Sequence, residues 1–264
     1  MAYTSPSNLL QIEIIDEKIA YLTIQNPPAN TWTIESLSAL KNLIEQFNKE
    51  KKIQALILTG NGEKFFSAGA DLKMFTEGGK DRAAEVANIF GQALETLANF
   101  EGVSIAAING YCLGGGLEAA MACDLRIAEK HAIMGLPEAA VGLLPCGGGT
   151  QTLAWLVGEP WAKKMILLGE KIDAERAKAI GLIEHVIEPG THKMESIKMA
   201  RQILGQSPSS IRACKKLIQA ARHQPMWSTL SQERAAFVGL FDTEDQKEGI
   251  DAFLQKRKPV WKNR

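Results

Sequence analysis

Residues 104–128, SIAAINGYCLGGGLEAAMACDLRIA, constrain the fold of this chain more than any other stretch. They read as a buried strand over 105–108, a turn at Asn109 and Gly110, a glycine run over 114–116, a helix opening near Leu117 and a second strand from Asp124. A helix that starts in glycines leaves backbone N–H groups with no side chain to screen them, and the helix dipole adds partial positive charge at that end. An oxygen acquiring negative charge would be stabilised there. Glu118 follows three residues after the middle glycine, Gly115. One turn of chain thus offers an electrophilic pocket and a carboxylate able to carry a proton. Glycine turns also serve simple close packing in α/β proteins, so the stretch by itself leaves both roles open.

The rest of the composition narrows the class. The chain has 264 residues, 45% of them hydrophobic, enough for one large domain or one domain with a helical appendage. Lys+Arg and Asp+Glu balance at 30 each, so no overall field draws nucleic acid or an anionic membrane. An anionic ligand must be met locally. Cys112, Cys123, Cys146 and Cys214 form no CxxC pair and no zinc-like spacing with the four histidines. That pattern predicts free thiols in a reducing compartment and no metal site. The first residues lack a basic region followed by an apolar segment, and no window approaches a membrane span, so a cytoplasmic protein without membrane contact is expected.

Along the chain, residues 10–15 and 20–24 read as a strand hairpin around Asp16, Glu17 and Lys18. Ile34, Leu37, Leu40, Ile44 and Phe47 recur at helical spacing, and residues 53–58 form an apolar β-rich run ended by Thr59 to Gly62. Strand, helix, strand predicts a parallel pair with a right-handed crossover. KFFSAGADLKMF, residues 64–75, is a second small-residue turn after a strand, followed by a polar loop at 77–81 and a helix over 82–99. Pro137 and Glu138 fall on a turn or short strand. A second glycine run, 147–149, opens a helix toward Trp155, and helices over 160–168 and 173–179 precede a short strand at 183–187. Beyond Pro189 the segments 192–204, 209–221, 227–240 and 243–254 are helical by periodicity. No internal repeat is evident. The expected division is an α/β core over 1–190 that carries the site and a helical region over 191–264.

Several chemistries lack their handles. Gly60-Asn61-Gly62 has no third glycine for a dinucleotide fingerprint, and no GxxxxGK[ST] occurs. FFSAG places Phe65 where a nucleophile elbow needs glycine. His131, His185, His192 and His223 form no constellation and are expected at the surface or without a catalytic part. What remains is two small-residue turns, around Ala68 and Gly115, and two glutamates, Glu118 and Glu138. Paired backbone N–H groups can hold a carbonyl oxygen as it becomes an oxyanion. Paired carboxylates in a partly dry cleft can divide proton work. Together they suit chemistry at the α and β carbons of an activated acyl group.

AGADL, NGYCLGGGLE and GLPEAAVGLLP resemble the crotonase, or enoyl-CoA hydratase/isomerase, superfamily, and the similarity runs over residues 10–258. The resemblance implies a spiral of ββα units with a helical C-terminal region used in trimerisation, trimers commonly pairing into hexamers. It implies an acyl-CoA thioester substrate, CoA being part of the substrate and no cofactor required. By the same likeness the N–H groups of Ala68 and Gly115 hold the thioester oxygen, and Gly69, Ala70, Asp71 and Leu72 belong to the substrate-binding turn. Glu118 would be the general base for water and Glu138 the general acid toward the α carbon, giving a 3-hydroxyacyl-CoA from a trans-2-enoyl-CoA.

Retention of both glutamates points to a hydratase over a double-bond isomerase or another acyl-CoA lyase of the superfamily. Cys146 and Thr152 depart from the glycine and arginine frequent at those positions, though the Cys146 N–H remains available to water. Lys64 and Lys73, flanking the AGAD turn, are candidates for the CoA phosphates, and Met74, Phe75 and the following helix for the acyl tail. Arg212, Lys215, Lys216, Arg222 and His223 give one helix a basic character that an RNA-binding relative could use. The balanced total charge argues against nucleic acid as a partner.

Overall fold

In the computed structural model, residues 3–76 and 79–264 are described; residues 77 and 78 of the polar loop expected at 77–81 lie outside them. The chain runs β1 (Leu10–Ile15), β2 (Ile19–Ile24), α1 (Ile34–Glu50), β3 (Ala55–Gly60), β4 (Phe65–Ser67), α2 (Gly79–Ala98), β5 (Val103–Ile108), β6 (Tyr111–Leu113) and α3 (Gly115–Ala122). It continues through β7 (Leu125–Glu129), β8 (Ile133–Gly135), α4 (Gly149–Leu167), β9 (Ile172–Asp173), α5 (Ala174–Ala179), β10 (His185–Ile187), α6 (His192–Leu204), α7 (Pro208–Ala220), α8 (Met226–Leu240) and α9 (Glu244–Leu254). Two short 3-10 turns, Leu72–Phe75 and Glu138–Val141, complete it.

Two sheets result, one ordered β1-β2-β3-β5-β7-β10 and one ordered β4-β6-β8-β9. Among the described residues, β1 against β2 and β9 against β8 are the antiparallel pairs. Every residue of β3 is buried, as expected for a strand covered on both faces, which is why it reads as an unbroken apolar run rather than an alternation. Successive strands alternate between sheets: β3 then β4, β5 then β6, β7 then β8. Each of these three turns adds one strand to each sheet and is followed by a helix, α2, α3 or α4. That is the ββα spiral.

Local sequence explains the elements that place the site. Thr33 caps α1 and forms a reciprocal capping box with Ser36, while Leu37, Leu40, Leu43, Ile44 and Phe47 bury one face. The buried Asn109, after β5, accepts from Gly60 N–H at 3.1 Å and donates to the carbonyls of Gly60 and Gly62 at 2.9 and 2.6 Å. One amide side chain thereby ties the ends of β3 and β5 together. The glycine run enters α3 at Gly115, two residues before the expected start. A Cβ at Gly116 would stand 2.4 Å from the Ser67 carbonyl, so only glycine allows α3 to lie against the end of β4. Glu138 opens a 3-10 turn rather than sitting on a strand, because Pro137 and Gly142 bound a segment too short for pairing. The two helices expected after the second glycine run are segments of α4 joined at Gly158, whose φ of 79° and ψ of 158° break the helix just before Pro160.

The chain divides into two compact units, Met1–Ala200 and Arg201–Arg264. In the second, Ser207 caps α7, which begins at Pro208. Asp245 is buried and accepts from the hydroxyls of Ser207 and Ser209 and from the N–H groups of Lys262 and Asn263, which pins the C-terminal residues along α9.

Candidate active site

A cleft of about 340 Å³ in the first unit is lined by both small-residue turns and both glutamates singled out in the sequence. Ala68 to Leu72 form one side, Gly114, Gly115 and Glu118 the floor, and Pro137, Glu138 and Cys146 the other side. Leu72, Phe75, Phe90, Val141, Leu143 and Leu144 supply an apolar wall. Phe75 is there as expected; Met74 packs on the core instead, and Phe90 of α2 takes its place.

The backbone donors differ from expectation at one residue. The Ala68 N–H donates to the Ala29 carbonyl at 2.9 Å, so it is spent on the fold and is not an oxyanion donor. The free N–H of this turn is that of Ala70. Trp32 N–H donates to the Gly69 carbonyl at 2.8 Å and Asp71 N–H to the Trp32 carbonyl at 2.9 Å, in an isolated parallel bridge. With residues 69 and 71 both turned toward Trp32, the Ala70 N–H faces the opposite side, and it has no hydrogen-bond partner among the described residues. There it meets α3: a Cβ at Gly115 would lie 3.5 Å from Ala70 N, and one at Gly69 would lie 3.0 Å from Gly115 N. Gly69 has a φ of 99°, which L side chains rarely adopt, so the turn that aims Ala70 depends on glycine. The Gly115 N–H belongs to the first turn of α3, where helical N–H groups lack internal partners.

The carboxylates come from opposite sides. Glu118 is 4% exposed, and its Oε1 accepts from Gly147 N–H at 2.7 Å and from Gly149 N–H at 2.8 Å. The second glycine run is therefore a clamp as well as the start of α4. Oε2 is left without a partner among the described residues. Burial pushes the Glu118 carboxyl up to about 7; the charge of Glu138 pushes the same way, and the two N–H bonds oppose both. Both carboxylate oxygens of Glu138 are buried without a hydrogen-bond partner, and burial raises this carboxyl above its ordinary range. A Cβ at Gly114 would stand 3.2 Å from Glu138 Oε1, which sets that carboxyl against the start of α3. Buried unpaired carboxylate oxygens are costly, and in a native fold they mark a place where something else supplies the partner.

Cys146, next to the clamp, lines the cleft, and burial together with the charges of Glu118 and Glu138 pushes its thiol up to about 11. Lys73 stands exposed on the 3-10 turn beside Leu72, outside the lining itself. Lys64 is not brought to the cleft; it lies over the Phe65 ring and borders a separate hollow with Glu63, Glu129 and His131. None of the four histidines lines the cleft. His192 donates its backbone N–H to Glu129, and its Nδ1 lies 2.7 Å from the same carboxylate oxygen, Oε1. Among the described residues no group of three His, Cys, Asp or Glu is placed to hold a metal ion. No helix among them is long and apolar enough to cross a membrane.

Two free backbone donors facing two carboxylates in an apolar cleft define a site for acyl chemistry through an oxyanion. Residues 15–264 match the family described as enoyl-CoA hydratase/isomerase, and the chain belongs to that family. It is similar to the 2,3-dehydroadipyl-CoA hydratase of Escherichia coli strain K12, with 38% identity over 249 residues, 94% of this chain and 96% of that one. Among solved structures it is similar to DspI of Pseudomonas aeruginosa, with 55% identity and a TM-score of 0.94 over 97% of each chain. It is also similar to an enoyl-CoA hydratase of Bacillus anthracis, with 33% identity and a TM-score of 0.94, covering 97% of this chain and 100% of that one.

Proposed function

We propose that the protein adds water across the 2,3 double bond of trans-2-enoyl-CoA thioesters, and that Ala70, Gly115, Glu118 and Glu138 carry the reaction. The observation that carries this reading is the pair of carboxylates: one is clamped through a single oxygen, the other has both oxygens buried and unpaired, and both line the cleft that also holds Ala70 and Gly115. The thioester oxygen accepts from Ala70 and Gly115, which draws electron density from C3. Glu118 Oε2 takes a proton from water as its oxygen bonds to C3. The electron pair moves to the thioester oxygen as an enolate, and Glu138 delivers a proton to C2. The proton on Glu118 and the one lost by Glu138 balance, so the site is restored by exchange with solvent. Removing one donor from an oxyanion hole typically costs about 2.7–4 kcal/mol of transition-state stabilisation.

The cleft suits an uncharged acyl chain. Its wall is apolar, and its polar side chains besides the glutamates are Thr31, Asp71 and Cys146, none of them basic. A terminal carboxylate on the acyl chain would be buried without a cation, at a cost of several kcal/mol. Lys73, on the turn that begins at Leu72, is the basic residue we assign to the CoA phosphates. The exposed Trp227, Phe237 and Phe253 of the C-terminal helices are the surface we assign to self-association into trimers or pairs of trimers.

Mixing the protein with crotonyl-CoA should remove the conjugated-enoyl absorbance and yield 3-hydroxybutyryl-CoA. With 2,3-dehydroadipyl-CoA, kcat/KM should be at least about 10-fold lower, the unpaired charge being the reason. Persistence of the absorbance with crotonyl-CoA, alongside conversion of a 3-enoyl-CoA to its 2-enoyl isomer, would replace hydration by isomerisation.

A further inference from the structure

We propose that Cys146 is a second nucleophile of this cleft, adding its thiol to C3 of a bound 2-enoyl thioester where water otherwise adds. This rests on the hydratase reading of the site. Cys146 stands immediately before Gly147, whose N–H fixes Glu118 Oε1 at 2.7 Å, and it is a lining residue of the same cleft as Glu118, Glu138, Ala70 and Gly115. The cysteine does not stand alone. Glu118 is 4% exposed with Oε2 unpartnered among the described residues, and both buried oxygens of Glu138 lack partners, so the groups that would serve an attacking water also serve an attacking thiol.

The step balances without an outside reagent. The Sγ–C3 bond forms as the S–H proton passes to Glu118 Oε2. The C2–C3 π pair moves onto the thioester oxygen, held by Ala70 and Gly115 N–H. Glu138 then protonates C2. The product is a 3-thioether of the saturated acyl-CoA attached to the protein, with nothing oxidised or reduced, and the reverse steps release the enoyl thioester.

The surroundings also keep this thiol protonated in the free protein. Cys146 shares its cleft with two carboxylates and is pushed up to about 11, so it is held as the thiol, whereas the thiolate is the form that oxidants and alkylating agents attack. It becomes nucleophilic only when a neighbouring base takes its proton as the electrophile arrives. Cys214, the other exposed cysteine, lies in the second unit, outside this cleft.

But-2-ynoyl-CoA tests this directly, because thiol addition to the triple bond leaves a vinyl thioether that does not readily revert. Intact-protein mass spectrometry should show a gain of one whole probe, and peptide mapping should place it on Cys146. Cys146→Ala should abolish the label and Glu118→Gln should slow it at least tenfold, while iodoacetamide should label Cys214 at least tenfold faster than Cys146. Crotonyl-CoA hydration is measured on the same sample. Hydration without any label on Cys146, or label confined to Cys214, overturns the proposal and leaves the hydratase reading standing. Label on Cys146 without hydration supports the thiol addition and overturns the hydratase reading.

Discussion

The turn after β6 and the turn after β8 each bring a glutamate to the same cleft, yet the fold treats the two in opposite ways. Glu118 enters on a helix, is covered, and has one oxygen fixed by two N–H groups of the 147–149 run. Glu138 enters on a 3-10 turn between Pro137 and Gly142, with both oxygens buried and unpaired. The fold satisfies the carboxylate whose direction must be set before substrate arrives, and leaves the other to be satisfied by what binds. A general base for water needs its geometry fixed in advance, because a small misplacement of the reacting atom costs heavily in rate. An acid that protonates C2 gains its partner with the substrate itself.

The largest test of that contrast is removal of each carboxyl. Glu118→Gln and Glu138→Gln should each lower kcat for crotonyl-CoA by about 10²–10⁴-fold, the usual worth of a positioned acid or base. A variant that keeps wild-type turnover would remove that residue from the proton path. A smaller effect should separate holding from chemistry. A Cβ at Gly149 would lie 2.8 Å from Glu118 Oε1, so Gly149→Ala must displace the clamped oxygen without touching the carboxyl's identity. We expect a fall of about 10–100-fold in kcat, with KM little changed, because the displaced group acts on water and not on CoA. Gly148→Ala, at a φ of 98° where an added Cβ would lie 3.7 Å from Thr152 Oγ1, should instead lower the melting temperature through backbone strain.

Much of this arrangement was legible in the residues, and the reasons for the rest are specific. Long periodic segments such as α1 and α7 declared themselves, since an apolar stripe at helical spacing has few other uses. The second sheet did not: β4, β6 and β8 have three residues each and β9 two, too short to show any period. The ββα repeat was invisible for the same reason, because half of each unit is a three-residue strand. The motif alone points to Ala68 as a donor, but which N–H of that turn is free depends on a bridge to Trp32, far off in sequence. No local signal carries that. The run 147–149 was visible as a helix opening, but its partner Glu118 belongs to a different turn of the spiral. Phe90 was legible only as a core residue of a helix, and its role as cleft wall comes from the approach of α2 to Gly115, where a Cβ would stand 2.7 Å from its ring.

The smallest expected effects concern protons, and they carry a sign that differs between activity and stability. Glu118 must be ionised to accept a proton, so with its carboxyl pushed up to about 7 the rate should rise with pH through that region and not near 4.5. Burial raises the Glu138 carboxyl as well, and the two groups interact, so the pH dependence of kcat/KM belongs to the pair and not to either residue alone. Stability runs the other way. A carboxyl whose folded value lies above its unfolded one makes the folded chain bind more protons between about 4.5 and about 7, so stability is lost as pH rises through that window. Glu118→Gln removes this cost and leaves an amide oxygen able to accept from Gly147 and Gly149. Relative to the parent, the variant should gain on the order of 2–3 kcal/mol more at pH 8 than at pH 5, a widening of several degrees in melting temperature. Equal differences at the two pH values would show that Glu118 is not held out of water in the free protein, and the contrast with Glu138 would then rest on the clamp alone.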